Sequence, residues 1–524
     1  MLGRAHGAVL EGAEACLVSV EVDLSGGLPA IAAVGLPDSA VREGIDRIRA
    51  ALRHGGFHLP MRRITLNLAP ASTRKTGTAL DLPIALAILA ADGQVAWERG
   101  EATVFAGELA LDGALRGIRG ILATALAARR AGHARLVVPA ANAEEAALVA
   151  GIDVYGAATL AEAAGLAAGR LETTPVRLDL EAALRKAQEE PRAPLPDLGE
   201  VRGQAAARRA LEIAAAGGHH LLLTGPPGCG KTMLAERMAG ILPPMTLEEA
   251  LEVTRVWSAE GLANGLVGRR PYRAPHHGVT PAGLVGGGSP LRAGEAALAS
   301  GGVLFLDELP EFRREALEML RQPLESGRIA LRRLRAGIVY PARFTLVASM
   351  NPCPCGHAGQ PGGRCRCGPG EIRRYLGRLS GPLLDRFDLV VSLRAVRFEE
   401  IEGAVGGEPS ARVRARVVEA RARQQRRFGP DGPSCNARMS RDHLDRFVAL
   451  RPAGRDLLRE ASARMGFSAR GHDRIRRVAR TIADLEGVDA VDVPHLAEAI
   501  LYRPPVEPES GTGGLHPPGV PRKE

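Results

Sequence analysis

The chain has 524 residues, 45% of them hydrophobic, enough for roughly three to four domain-sized units with ordinary buried cores. No apolar run reaches about 18 residues and the start "MLGRAHGAVLEGAEACLV" lacks a secretory pattern, so neither a membrane span nor export is expected. The formal charge of +9 is almost wholly arginine, with Lys only at 75, 186, 231 and 523; such a bias makes charge a weak pointer to nucleic acid and each retained lysine an informative one.

Residues 1–170 read as an α/β domain. "RITLNLAP" (63–70) predicts a strand, "ALDLPIALAILAA" (79–91) a buried helix, and "TVFAGELAL", "GILATALAARRAG" and "RLVVPA" continue the alternation. Residues 171–197 are charged and Pro-bearing, which predicts a linker. From 198 to 395 strong strands return at "HLLLTG", "GVLFLDE" and "FTLVASMN". Residues 396–504 read as helical, one helix opening on Ser410 as N-cap and ending at Gly429, another covering "RIRRVARTIADLEG". The Pro/Gly-rich end, 505–524, has the composition of a disordered tail. Seven cysteines, an odd number without a signal, fit a reducing cytoplasm.

The strongest chemical signal is "LLLTGPPGCGKTMLAERMAG". Gly225, Pro226, Pro227, Gly228, Cys229, Gly230, Lys231 and Thr232 form a G-x-x-x-x-G-K-[ST] loop between an apolar strand and a helical pattern, the context the motif requires. Its glycines let backbone N–H groups converge on a phosphate at a helix N-terminus. Lys231 is placed to reach the β/γ-phosphates of ATP and Thr232 to ligate Mg²⁺. Hydrolysis also needs acids. "VLFLDELPEF" ends a strand in Asp307, for the metal, and Glu308, for the attacking water.

With these residues in view, the chain resembles the AAA+ ATPases of the magnesium-chelatase clade, and within them the YifB/ComM-like family. The resemblance rests on "LGEVRGQAAARRALEIAAAGGHHLLLTGPPGCGKT", "RPYRAPHHGVTPAGLVGGG", "GVLFLDELPEF", "SMNPCPCG", "GPLLDRFDL" and "SARGHDRIRRVARTIADL" in the family's order. It implies an AAA+ P-loop core with a C-terminal helical lid. It implies that Asn351 is the sensor-1 polar group, Arg386 an arginine finger reaching a neighbouring subunit, and Arg470 the sensor-2 arginine, with Arg474 the alternative. It also implies a homo-hexameric ring. Two inserts resemble those of the clade: 254–300, and a basic hairpin, 326–344, that the clade points into its channel, where Arg332, Arg333 and Arg335 would touch DNA. An exposed hairpin in an arginine-biased chain would look the same. His276 and His277 are adjacent, and adjacent residues rarely serve one metal, so a structural or channel-lining role is expected.

Residues 63–170 resemble the proteolytic domain of Lon-type proteases, a ribosomal S5 domain 2-like α/β fold. Aligning the motifs puts Ala79 where the family's serine stands and Leu122 where its lysine stands, so the resemblance implies the fold without protease chemistry. The functional expectation is an ATP-driven ring motor on single-stranded or branched DNA, a branch-migration helicase working beside recombination proteins in recombination or natural transformation. The alternative is a chelatase- or MoxR-like ATPase that remodels a protein or a metal centre.

Four of the seven cysteines lie in "SMNPCPCGHAGQPGGRCRCGPG": Cys353, Cys355, Cys365 and Cys367. Two C-x-C pairs can supply four thiolates for a structural Zn²⁺, with His357 a substitute ligand. Free thiols or redox-sensitive pairs are the other readings.

Overall fold

The computed structural model describes residues 2–171, 173–190, 195–289, 291–333, 336–360, 364–395 and 407–503. The side chains of Arg332 and Arg333, all of Arg335 and the expected tail at 505–524 lie outside the described residues.

The N-terminal unit is built on a mixed seven-stranded sheet. Its strand order is Ala30–Val34, Arg63–Ala69, Glu14–Ser25, Leu2–Glu11, Thr103–Phe105, Arg135–Pro139 and Asp153–Ala157. The long hairpin Leu2–Ser25 alternates buried and exposed residues, the period of a half-buried strand. The helix Asp81–Ala91 is buried on nearly every side, which its continuous apolar run predicts. The carboxylate of Asp81 is carried into this core because Arg47 donates to both its oxygens, at 2.8 and 3.2 Å. Lys75, one of the four lysines, is fully buried and donates to the Pro70 carbonyl; burial lowers its pKa.

The central unit holds a five-stranded parallel sheet in the order Tyr272–Arg273, Val303–Leu306, Thr345–Met350, Leu221–Thr224 and Leu389–Ser392. The strands Leu221–Thr224, Val303–Leu306 and Thr345–Met350 are buried throughout, as continuous Leu/Val/Phe runs in a parallel sheet require. The basic segment is a hairpin, Arg328–Arg333 paired with Ala336–Pro341. Among the described residues, five helices of seven or more residues follow in the C-terminal part: Ser410–Phe428, Arg441–Phe447, Pro452–Met465, Ala469–Glu486 and Val493–Leu501.

Two local expectations need correcting. Ser410 is not the N-cap of its helix: Pro409 occupies that position, and the Ser410 hydroxyl accepts from the N–H of Leu198 at 2.7 Å. Asp197, distant in sequence, accepts from the Ser410 N–H at 3.1 Å and does the capping instead. Its carboxylate was free to replace the serine because the chain entering the core passes that helix end. The expected linker is not a bare tether either. Residues Leu180–Glu189 form a helix capped by Asp179, and Leu184 is buried with Met245, Val253 and Val267. Gly268 lies so close to the Ala187 backbone that an added Cβ would stand 2.3 Å from its carbonyl carbon. The apolar stripe of a short amphipathic helix had been diluted by the charges around it.

The N-terminal unit is docked on the core. The N–H of Gly120 donates to the Ser258 carbonyl at 3.1 Å, and the Glu145 carboxylate accepts from the Ser258 hydroxyl and, at 3.2 Å, from the Leu122 N–H. Burial raises the Glu145 pKa. The Gly120 turn, in the left-handed region at φ +69°, lets the start of the helix Ile121–Arg130 close on the core helix Leu247–Ala259.

Candidate nucleotide site

Parallel register brings three loops to one edge of the central sheet. Thr224 pairs with Met350, and Leu306 with Ala348, so the segments that follow start side by side: Gly225–Thr232, Asp307–Glu308 and Asn351. Ligand sites form at this carboxyl edge because loops and helix N-termini open there. Gly228 and Gly230 take φ +74° and +91°, which turns the loop into the helix Lys231–Ile241. Gly225 is fixed by space: a Cβ there would stand 2.7 Å from the Leu393 carbonyl oxygen.

The Lys231 ammonium donates to the carbonyls of Gly225 and Pro226, each at 2.8 Å, and to Asn351 Oδ1 at 3.0 Å. Thr232 donates its hydroxyl to Asp307 Oδ2 at 2.7 Å. These four residues are the ones the sequence singled out for phosphate, metal and sensing, and the structure brings them together. Thr232 and Asp307 present two hard oxygen donors side by side, the donor set that suits Mg²⁺. Cys229 is buried with its thiol pKa raised by desolvation, as suits a wall residue.

Glu308 stands exposed beside Asp307 and holds φ +53°, a conformation a non-glycine residue adopts at a cost of about 1 kcal/mol or more. Its N–H is held by Asp307 Oδ1 at 3.0 Å and by the Ser349 hydroxyl at 3.3 Å. Ser349 also donates to Asp307 Oδ1. The sequence reading missed Ser349. Its signal was a hydroxyl inside an otherwise apolar buried strand, which needs a partner. One further residue, Gln204, was passed over, and His277, for which a structural or channel-lining role is expected from the sequence, lies beside Glu308. Gln204 donates to the carbonyls of Cys229 and Arg394, at 3.2 and 2.7 Å, tying the phosphate loop to the sheet. His277 Nδ1 lies 3.7 Å from Glu308 Oε2, with the His276 ring 4.0 Å from its own.

The expected arginines are elsewhere. Arg386, Arg470 and Arg474 line one cleft with Arg438, Arg477, His220 and Phe344. His220, Phe344 and Asp388 immediately precede three parallel strands, so this cleft lies at the amino edge, one strand length or about 13 Å from the phosphate loop. Arg386 donates to Glu325 and, at 3.2 Å, to the Arg321 carbonyl, and burial lowers its pKa. Arg474 is buried and spent within the chain, 2.9 Å from Asp385 and 3.6 Å from Asp388. Arg470, on the first turn of Ala469–Glu486, is exposed.

The four clustered cysteines converge. Their Sγ atoms all lie within 4.8 Å of one another, with pairs at 3.4, 3.7 and 3.8 Å. A tetrahedral zinc with bonds of about 2.3 Å sets its sulfurs about 3.8 Å apart. The N–H of Ala358 donates to Cys353 Sγ at 3.3 Å, and the N–H groups of His357 and Arg366 lower the Cys355 thiol pKa, while burial and the neighbouring thiols raise those of Cys365 and Cys367. The His357 ring is engaged by Gln360 at 3.0 Å and is not part of the cluster.

A P-loop next to a strand-end Asp-Glu pair and a strand-end asparagine, on a parallel sheet with a helical C-terminal region, defines a P-loop protein of the AAA+ class. Family comparison agrees: "Magnesium chelatase, subunit ChlI" matches residues 197–401, "Subunit ChlI of Mg-chelatase" residues 20–142, and the ChlI C-terminal description residues 407–503. The chain is 44% identical over 499 residues to the competence protein ComM of Haemophilus influenzae, covering 94% of this chain and 95% of that one. It is 43% identical over 506 residues to the uncharacterized protein YifB of Salmonella typhimurium, covering 96% and 97%. An uncharacterized protein of Mycobacterium tuberculosis is 45% identical over 513 residues, covering 96% and 98%. The chain belongs to the YifB/ComM-like family of the magnesium-chelatase clade.

Among the described residues no helix is long and apolar enough to cross a membrane.

Proposed function

We propose that this protein is an ATP-hydrolysing ring motor that works on DNA and drives branch migration during recombination or uptake of transforming strands. The observation that carries the ATPase reading is the meeting of Lys231, Thr232, Asp307 and Asn351 at one sheet edge. Lys231 would neutralise the β/γ-phosphates, Thr232 and Asp307 would hold Mg²⁺, Glu308 would take the proton of the attacking water, and Asn351 would orient that water. A Mg²⁺ held by Thr232 and Asp307 would offset the negative charge of the phosphates.

The ring reading rests on the arginine cleft. Arg386 and the exposed Arg470 lie at the edge away from their own phosphate loop, so the nucleotide they serve would be a neighbouring subunit's. Arg470 is favoured over Arg474 as sensor 2, since Arg474 is neutralised by Asp385 and Asp388. Six subunits and a cytoplasmic setting are part of the same reading. The DNA reading draws on the likeness to a competence protein and on a basic hairpin set against the core. The N-terminal unit would serve as a docking body: Ala79 and Leu122 offer neither nucleophile nor base, and the Leu122 N–H is closed against Glu145. A Zn²⁺ on the four thiolates would be structural.

The test is ATP hydrolysis with and without forked or single-stranded DNA, repeated in high salt, beside a branch-migration assay on a synthetic four-way junction. DNA stimulation that salt abolishes, and migration lost in Lys231→Ala, are expected. Hydrolysis indifferent to DNA, with no salt-sensitive binding, would move the protein to the remodelling ATPases.

A further inference from the structure

The cysteine cluster lies against the nucleotide site. Cys353 follows Asn351 by two residues, and the N–H of Gly356 donates to the Cys353 carbonyl at 2.9 Å, closing a tight turn. At its closing position Gly356 takes φ +81° and lies against the P-loop: a Cβ there would stand 2.4 Å from Pro227 Cδ and 2.7 Å from Pro227 Cγ. Pro227 is the middle of the loop whose N–H groups would cradle phosphate. At Pro227 the loop is backed by the cysteine turn, whereas at Gly225 it is backed by Leu393.

That turn has little else to hold it. Residues 353–368 are rich in Gly and Pro, and the described ones among them form neither helix nor strand before Pro369–Leu376. Gly368 closes the far end by donating its N–H to Glu371 at 2.9 Å. Four thiols packed within 4.8 Å are a poor core, since thiolates there would repel one another. One bound metal ties both C-x-C pairs, closes the intervening loop and fixes Gly356 against Pro227.

We propose that the four cysteines hold one zinc-type metal ion and that its occupancy sets the affinity of the P-loop for nucleotide, transmitted by the Gly356–Pro227 contact. Gly356 is a positioning residue, acting on phosphate only through the loop. The proposal rests on the reading of Gly225–Thr232 as a nucleotide site.

The experiment uses the full-length chain. Zinc content is measured by elemental analysis, and binding of a fluorescent ATP analogue is titrated in excess Mg²⁺, so no turnover is needed. Wild type should hold one zinc per chain. Gly356→Ala should keep that zinc yet bind the analogue roughly tenfold more weakly, because the new methyl displaces Pro227. Cys353→Ser with Cys365→Ser should lose the zinc and weaken binding at least as much. Wild type purified under reducing conditions without metal overturns the site. Full affinity in Gly356→Ala, or in the zinc-free variant, overturns the coupling. Should the double variant fail to fold, wild type stripped of zinc by a chelator and returned to excess Mg²⁺ replaces it, and unchanged affinity there overturns the coupling. A zinc-loaded wild type that binds the analogue no better than Lys231→Ala would instead refute the nucleotide reading.

Discussion

The two edges of the central sheet differ in how far each is complete. At the carboxyl edge polar groups answer one another within the chain: Lys231 with Asn351, Thr232 and Ser349 with Asp307. At the amino edge five arginines, Arg386, Arg438, Arg470, Arg474 and Arg477, share a cleft with three carboxylates, Glu325, Asp388 and Asp473. Arg474 is answered by Asp385 and Asp388 and Arg386 by Glu325, while Arg470 stands exposed in the cleft, where an incoming anion could meet it. Under the proposed reading, one edge binds nucleotide within a subunit and the other reaches a neighbour's, as head-to-tail assembly needs.

The largest effects should come from the complete edge. Lys231→Ala should abolish nucleotide binding and hydrolysis together, whereas Glu308→Gln should leave binding near wild type and slow hydrolysis by about a hundredfold or more, read as a split between Kd and kcat. Equal loss of both in Glu308→Gln would mean the two residues do not divide the work as their places suggest. Next comes the open edge. Arg386→Ala should cut hydrolysis by about a thousandfold with nucleotide affinity little changed, since a finger acts on charge that develops in the transition state. Arg470→Ala should lose more than Arg474→Ala in hydrolysis, and Arg474→Ala more in thermal stability, because only Arg474 supports internal carboxylates.

A smaller effect is expected where an insert meets the carboxyl edge. His277 stands 3.7 Å from Glu308, on the segment that leads into the helix Pro281–Val285. His277→Ala should change kcat a few-fold and leave the Km for ATP unmoved.

The smallest concerns acid stability at the amino edge. His220 is pushed down to about 4, chiefly by burial, while Asp388 raises it and Arg438, His219 and Arg474 lower it. Its Nδ1 accepts the N–H of Leu346 at 3.0 Å, so the folded chain holds the neutral ring. The unfolded chain binds the extra proton below about 6.5, so this group's contribution weakens as pH falls from about 6.5 to 4. Denaturation curves of His220→Gln across that window should show a flatter pH dependence than wild type.

Much of the carboxyl edge was legible because its parts are contiguous strings: a glycine-rich turn between strand and helix, an acid pair ending an apolar run, an asparagine ending another. Gly225, Lys231, Thr232, Asp307 and Asn351 could be placed on element ends before any coordinates. Ser349 and His277 could not, since their partners are set by parallel register and by how an insert folds back. Asp197 replaced Ser410 as the cap for the same reason: the better carboxylate comes from another stretch of chain. The cysteines could be paired by spacing, but their contact with Pro227 depends on a turn that spacing does not encode. The arginine motifs were readable as strings too, yet their distance from their own phosphate loop emerges only from the order of the strands.

The central claim is that one subunit's arginines complete its neighbour's nucleotide site. Lys231→Ala retains its arginines without a working phosphate loop, and Arg386→Ala retains the loop without its finger. Each is expected to be nearly inactive alone. Mixed in equal amounts under assembling conditions, they should recover a substantial fraction of wild-type ATP hydrolysis, because some interfaces then join an intact loop to an intact arginine. A mixture no more active than the two variants measured separately would contradict the account.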